Sequence, residues 1–378
     1  MHIALFSLNY VPHPGGIEVV VDELARELGQ RHQVTIVTSD WEAARGVTRA
    51  GGVTTWRVPA LHVTERFGVP YPVPRSLDLR AALRDASSAD LFHAHGALYV
   101  HTLLAARLAR RHQRPFVLTE HVGFVDYPSR VTNAVQRAAW NSIGNWTVAQ
   151  ADAITTYNAR VQAWLSTRYP GRAVRFIANG VDLERFRPLD PDARLRARVA
   201  LGLPVDDTIV LFVGRATAKK NFDHVLNIPR DGFTLVTCGA RRDLSLAGVV
   251  DLGQVPNERM SLVYSCADIM VHAATGEGFP LAVQEAMATA VPVVLRWDPG
   301  YAGMLDRAAV LACDTPGEIA DAVGQLVASP ERRALLGTTG ERWARRAWSW
   351  KSTVQSFEQL YAEVRGAYHA GPEFHERS

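Results

Sequence analysis

Lysine is nearly absent. Of 41 basic residues only Lys219, Lys220 and Lys351 are lysine, so two of the three stand side by side. The formal net charge is only +3. That is too small for a nucleic-acid footprint, and no zinc-finger, recognition-helix or aromatic RNA-binding pattern accompanies it. Arg107, Arg110, Arg111 and Arg114 do cluster, but at the end of a helical pattern, where cations complement the dipole. Cysteine is scarce: Cys238, Cys266 and Cys313 are odd in number and confined to the second half, which argues against a disulfide framework. No run approaches the roughly 20 apolar residues of a membrane span. The start, MHIALFSLNY, lacks the basic region of a signal peptide, so a cytoplasmic location is expected. Gly-x-Gly-x-x-Gly after the first strand and any Gly-Lys-Ser/Thr phosphate loop are also missing, which counts against a dinucleotide dehydrogenase and a P-loop ATPase.

What is present is an ordinary globular composition, 47% hydrophobic and 21% charged over 378 residues. That length predicts two domains. Short apolar runs alternate with helical patterns: Ile3 to Leu8, Val34 to Thr38, Asp90 to His93, Pro115 to Thr119 and Ala153 to Thr156 read as strands, with helices near Leu98 to His112 and Val131 to Ala149. A break follows at Tyr169-Pro170-Gly171. The alternation restarts with Ile209 to Gly214, Phe233 to Cys238, Val249 to Leu252, Asp268 to His272, Val291 to Leu295 and Ala309 to Ala312. Continuous apolar strands between helices predict an α/β protein of two similar Rossmann-like halves, residues 1–170 and 171–349, each a parallel sheet covered on both faces. The tail Gly371 to Ser378 is expected to be disordered.

Three segments carry chemistry. The turn Pro14-Gly15-Gly16-Ile17-Glu18 opens a helix, and glycines there let backbone amides approach a phosphate. Gly214-Arg215-Ala216-Thr217-Ala218-Lys219-Lys220-Asn221 follows a strand, so Arg215 and Lys220 can clamp a diphosphate from its carboxyl end. Glu277, in the Gly-flanked loop Gly276 to Gly278, and Glu285, in the helix that follows, offer paired acceptors to adjacent hydroxyls of a sugar and of a ribose. Read blandly, these are two surface cations and two helix-associated carboxylates. Asp190-Pro191-Asp192 mimics a metal-binding Asp-x-Asp, but before a helix it reads as a cap. His93 and His95, one residue apart at a strand end, are read as facing opposite ways and so as poor joint metal ligands.

Gly15-Gly16-Ile17-Glu18, Thr119-Glu120-His121, Asn179-Gly180-Val181-Asp182, Val213-Gly214-Arg215 with Lys220-Asn221, and the Glu277-x7-Glu285 block ending in Glu-Ala-Met together resemble family four of the retaining glycosyltransferases, in order and spacing. The resemblance implies a GT-B fold: two Rossmann-like domains with an interdomain cleft, and a final helix, residues 350–370, returning to the first domain. It implies that Arg215 and Lys220 hold the diphosphate of a nucleotide-sugar donor and that Glu285 holds the ribose. Glu277 with Gly278, Phe279, Pro280 and Leu281 would hold the sugar, and Gly214 would also bind the donor. Gly15 and Gly16 would approach from the opposite wall, and His121 would lie near the anomeric carbon. Transfer would retain configuration, without a cofactor or an obligatory metal.

The acceptor is expected to be a hydroxyl compound (a small natural product, a sugar or aminocyclitol, or a glycan). First-domain loops should recognise it: Tyr10 to Pro14, His62 to Arg75, His95 to His101 and His121 to Ser129, with Glu18, His95 and Tyr127 as contact candidates. Pro280 and Ala290 stand where the family often has glycine, and the connection Gly239 to Gly248 is short for the region that cradles the base. Trp140 and Trp146 with Arg130 and Arg137 raise a peripheral membrane contact, with core packing of the tryptophans favoured. The competing functions are a GT-B nucleotide-sugar epimerase and a non-catalytic GT-B partner protein.

Overall fold

The computed structural model describes residues 1–13, 15–41, 44–61, 71–75, 77–126, 129–239 and 246–370. The chain divides after Asn179 into two compact units, Met1–Asn179 together with the chain from Trp350 onward, and Gly180–Ser349.

The first unit is built on β1 (His2–Phe6), β2 (Gln33–Ser39), β3 (Gly46–Ala50), β4 (Val53–Val58), a short ribbon of β5 (Ala60–Leu61) and β6 (Val73–Pro74), β7 (Leu91–His95), β8 (Phe116–Thr119), β9 (Ala153–Thr156) and β10 (Val174–Phe176). Its main sheet runs β10-β9-β8-β7-β1-β2-β4-β3, parallel except for β3 against β4. The central strands are wholly buried because β-branched and aromatic side chains meet helices on both faces. Phe6, Phe92, Phe116 and Trp140 anchor one core cluster on this sheet. The break expected at residues 169–171 precedes one more strand, β10, which pairs with β9 and keeps the chain in the first unit to Asn179.

The pattern read as one helix over 131–149 is interrupted. Arg130–Ala139 and Asn145–Gln150 are α-helical, and Trp140–Gly144 between them is a π-turn. Packing explains the wider turn: the Trp140 ring lies over Gly144, where a Cβ would sit 2.4 Å from it, and meets Trp164 edge-on at 4.6 Å. Trp140 is therefore core, whereas Val131 and Val135 on the first helical stretch stay exposed.

The second unit carries β11 (Thr208–Val213), β12 (Phe233–Cys238), β13 (Val249–Asp251), β14 (Ile269–His272), β15 (Val293–Arg296) and β16 (Leu311–Cys313), all parallel in the order β13-β12-β11-β14-β15-β16. Phe212, Phe222, Ile269 and Val271 share its core. The Asp190 side chain accepts from the Ala193 amide at 2.8 Å, capping the helix Pro191–Ala200, so Asp-Pro-Asp is a helix start. Arg194 and Arg198 tie that helix to Asp268, at 2.6 and 2.7 Å, ahead of β14. All three cysteines are buried and free. Among the described residues no helix is long and apolar enough to cross a membrane.

Both sheets reverse their winding once: between β1 and β7 in the first unit, and between β11 and β14 in the second. In open α/β sheets ligands gather outside the carboxyl ends of strands at this reversal, where neighbouring loops diverge. The sequence candidates fall on the loops leaving β1, β7 and β8, and on those leaving β11 and β14.

Candidate active site

In the second unit the loops after β11 and β14 are stitched together. Asn221, in the left-handed region at φ 50°, donates its side-chain amide to the Ala273 carbonyl at 2.8 Å, and the Thr275 amide donates to Lys219 O at 3.1 Å. This clasp brings the Lys220 Nζ to 2.8 Å from Glu277 Oε1 and 2.9 Å from Oε2. The lysine stem crosses Gly214, where a Cβ would lie 3.3 Å from Lys220 Cε and φ is +147°, so glycine meets both demands. Arg215 beside it is exposed.

Beneath the pair lies His272, the last residue of β14 and buried, with Nε2 3.3 Å from Glu277 Oε2. Burial pushes the His272 ring below its usual range, so it sits neutral. Burial would raise the Glu277 carboxyl, but the His272 contact and the Lys220 charge outweigh it and hold the group well below the carboxylate range. Glu277 is thus a fixed anion within the protein.

Glu285 lies in the helix Leu281–Ala288, whose first turn opens after Pro280. Its charge acts on Tyr264, a fully buried residue of the helix Met260–Cys266. Burial, with the Glu285 charge second, pushes the Tyr264 hydroxyl well up, so it stays a donor. Burial also pushes the Cys238 thiol up to about 11, with the charges of Asp251 and Glu285 adding to it. The Phe279 ring turns into the unit, against Tyr301 at 5.2 Å and Trp348 at 5.3 Å, leaving only its backbone to the loop. Ala290, in place of the expected glycine, does occupy the left-handed region, at φ 59°.

The first unit presents a different arrangement. Gly15 precedes the helix Gly16–Gly29 in extended backbone, and a Cβ there would lie 2.1 Å from Glu18 Oε2. Glu18 folds back over it to meet His13 Nδ1 at 2.6 Å. Glu120, buried after β8, accepts the amides of Ala97 at 2.8 Å, Val122 at 3.2 Å and Gly123 at 3.0 Å. One carboxylate therefore ties together the loops after β7 and β8.

Those loops hold a chain of histidines. His95 Nδ1 and His121 Nε2 are 3.0 Å apart, and His121 Nδ1 is 2.9 Å from the Tyr157 hydroxyl. His93 bonds Tyr361 at 2.8 Å and Thr119 at 2.7 Å. The expectation that His93 and His95 face opposite ways is overturned: their rings are 4.5 Å apart, because residues i and i+2 of a strand share a face. Burial pushes His93 and His121 down to about 3, and His95 well below its usual value, so all three are neutral. A neutral chain must alternate donor and acceptor nitrogens, so the tautomer of His121 fixes that of His95. His95 Nε2 ends the chain with no hydrogen-bond partner among the described residues.

Sequence reasoning missed Tyr264, His272 and Tyr157. Each is a buried residue in an apolar pattern, and only the packed fold reveals what its polar atoms face. Tyr127 lies outside the described residues, as do Pro14, residues 62–70 of one acceptor loop, residues 240–245 of the short connection after β12, and the tail from Gly371.

Residues 14–185 match the family model described as Glycosyltransferase Family 4, and residues 194–343 match Glycosyl transferases group 1. A D-inositol 3-phosphate glycosyltransferase of Xylanimonas cellulosilytica is 30% identical over 391 residues, covering 93% of this chain and 92% of that protein. A GDP-mannose-dependent alpha-(1-6)-phosphatidylinositol monomannoside mannosyltransferase of Mycolicibacterium smegmatis is 26% identical, covering 97% of this chain and 100% of the relative. Among solved structures, sucrose-phosphate synthase from Thermosynechococcus elongatus superposes with a TM-score of 0.74 at 20% identity, over 97% of this chain and 99% of that one. Anabaena Alr3699/HepE in complex with UDP gives 0.73 at 16% identity, over 96% and 100%. The structural likeness carries the fold, two Rossmann-like α/β units of the GT-B kind.

Proposed function

This chain belongs to glycosyltransferase family 4, and we propose that it moves a sugar from a nucleotide-diphosphate donor to an acceptor hydroxyl, with retention and without a metal requirement. The observation that carries the reading is the Lys220–Glu277 pair, held at 2.8 and 2.9 Å where the second sheet reverses its winding. An arriving diphosphate takes over the hydrogen bonds of Lys220, and Arg215 adds a planar fork of donors. Glu277, released from the lysine, accepts from the donor sugar's hydroxyls together with the backbone of Gly278 to Leu281. Glu285 accepts from the ribose.

The bond from the anomeric carbon to the diphosphate then breaks, and the acceptor oxygen bonds to the same face. The acceptor's proton passes to a departing phosphate oxygen. Charge growing on that phosphate meets cations already in place, so the rate enhancement is chiefly electrostatic. In the first unit Gly15, Gly16 and His121 are assigned to the donor's reacting end, and Glu18 and His95 to the acceptor. The names of two relatives include inositol, and we propose a cyclitol-bearing acceptor, used in the cytoplasm.

A thermal-shift screen over UDP-, GDP- and ADP-sugars tests the reading. A donor present at 100 times its Kd stabilises the folded state by about 2.7 kcal/mol. The expected outcome is that one base class raises the melting temperature and that its sugar is consumed only when a cyclitol acceptor is added. The product should keep the donor's anomeric configuration by NMR, at a rate unchanged by EDTA. Binding of no donor would sink the proposal, and interconversion of the donor sugar without an acceptor would instead mark an epimerase.

A further inference from the structure

We propose that His272 is a positioning residue for the donor sugar, its Nε2–H serving as a second seat for the Glu277 carboxylate when an arriving diphosphate draws Lys220 away. This rests on the reading that Lys220 meets the diphosphate and Glu277 the sugar. His272 closes β14 after Ile269, Met270 and Val271, at a buried position where a parallel strand ordinarily carries another apolar residue. An imidazole there is costly unless its nitrogens are used. Its Nε2 lies 3.3 Å from Glu277 Oε2, yet it makes no hydrogen bond among the described residues. The distance permits a bond, so direction is what is lacking. At rest both carboxylate oxygens are engaged by Lys220 Nζ, Oε1 at 2.8 Å and Oε2 at 2.9 Å.

Burial keeps the ring neutral, so it carries one N–H. Beside an anion that hydrogen belongs on Nε2, where it attracts the carboxylate and a lone pair would repel it. Lysine is a compact charge on a flexible stem, able to turn to another anion, whereas the His272 ring stands on a strand paired with Leu295 of β15. A diphosphate that takes Lys220 therefore leaves Oε2 beside a ready donor, and a small turn of the carboxyl group completes the bond. Oε1, no longer held by the lysine, is left to accept from the sugar's hydroxyls. Without His272 the carboxylate would lose its cation and gain nothing in exchange. One hydrogen bond to a charged group is worth about 10–100-fold.

The experiment compares wild type, His272→Leu, which fills the site and deletes the donor, and His272→Gln, whose amide nitrogen can stand near Nε2. Each is assayed for transfer from UDP-, GDP- and ADP-sugars to a cyclitol and, by heat, for binding of UDP, GDP and ADP. His272→Leu should lose about 10–100-fold in kcat while binding nucleotide within about 2-fold of wild type, and His272→Gln should recover most of that loss. With histidine labelled with nitrogen-15, the His272 Nε2 proton should move downfield by NMR as nucleotide binds, and should stay in place in Glu277→Ala. An unchanged kcat, a loss that glutamine does not recover, nucleotide binding that falls in step with kcat, or a proton that stays put as nucleotide binds overturns the proposal and makes His272 a packing residue. Normal turnover in Glu277→Ala overturns the Glu277 assignment, and this inference with it. Wild type binding none of the three nucleotides overturns the donor reading itself.

Discussion

The two units place their candidate residues at the same topological address, and only the second sets a cation–anion pair of motif side chains there against a first-unit chain of neutral histidines. At the β11/β14 reversal the second unit holds charge: Lys220 on Glu277, with Arg215 exposed beside them. At the β1/β7 reversal the first unit buries a chain of uncharged donors and acceptors, His93, His95 and His121 with Tyr157 and Thr119, while its carboxylates Glu120 and Glu18 are turned onto backbone amides and His13. A site that must neutralise a diphosphate needs cations in place. Orienting a hydroxyl needs only hydrogen bonds of fixed direction, and a neutral histidine chain supplies them without the desolvation cost of a buried ion. The proposed function would divide the labour along this difference in how each unit treats charge.

The sharpest way to break this comparison is kinetic. Glu277→Ala should cut turnover by about 10³-fold or more, and Lys220→Met by about 10²–10³-fold, measured as kcat on folded protein. His121→Asn should cost only about 10-fold, the scale of one neutral hydrogen bond. An equal loss at His121 would place a proton-transfer step in the first unit.

A second test is acid stability. His93 and His121 sit near 3, as does His101, which is likewise held neutral by burial. His95 lies well below its usual value. The unfolded chain takes up these protons near pH 6.5 and the folded one does not, so stability should fall as pH drops from about 6.5, by roughly 1.4 kcal/mol per pH unit for each histidine. In the second unit His272 acts in the same direction. The lowered Glu277 contributes stability that is lost only as pH falls below the ordinary carboxylate range. Urea unfolding at pH 7.5 and 5.5, followed by probes in each unit, should therefore find the first unit failing earlier. The smallest effect concerns backbone alone: Ala290→Gly relieves a left-handed alanine at φ 59° and should stabilise the second unit by about 0.5 kcal/mol in thermal unfolding, after the entropy of the added glycine.

The parallel strands were legible because buried strands are continuous apolar runs, as in Ile209 to Val213. The antiparallel edge was not read, although Gly51-Gly52 between β3 and β4 is a two-residue hairpin turn with φ of 54° and 79°. β10 is three partly exposed residues and gives no hydrophobic signal. At the site, the charged residues were legible from spacing within short motifs. The buried supports were not: Tyr157 lies 36 positions after its partner His121, and the pairing of His93 with His95 follows the two-residue period of a strand. Parallel pairing joins residues distant in sequence, so a partner two strands away leaves no local trace.

Lys220 rests on Glu277 where the reading puts the diphosphate, so the protein carries a built-in stand-in for the anion it would bind. A donor must displace that carboxylate, which weakens its grip. On the proposed function the same carboxylate would reclaim the lysine once the sugar had gone, and reclosure of the pair would speed expulsion of the spent nucleotide. Binding strength would thereby be exchanged for turnover frequency, through an internal ion exchange completed once in every cycle.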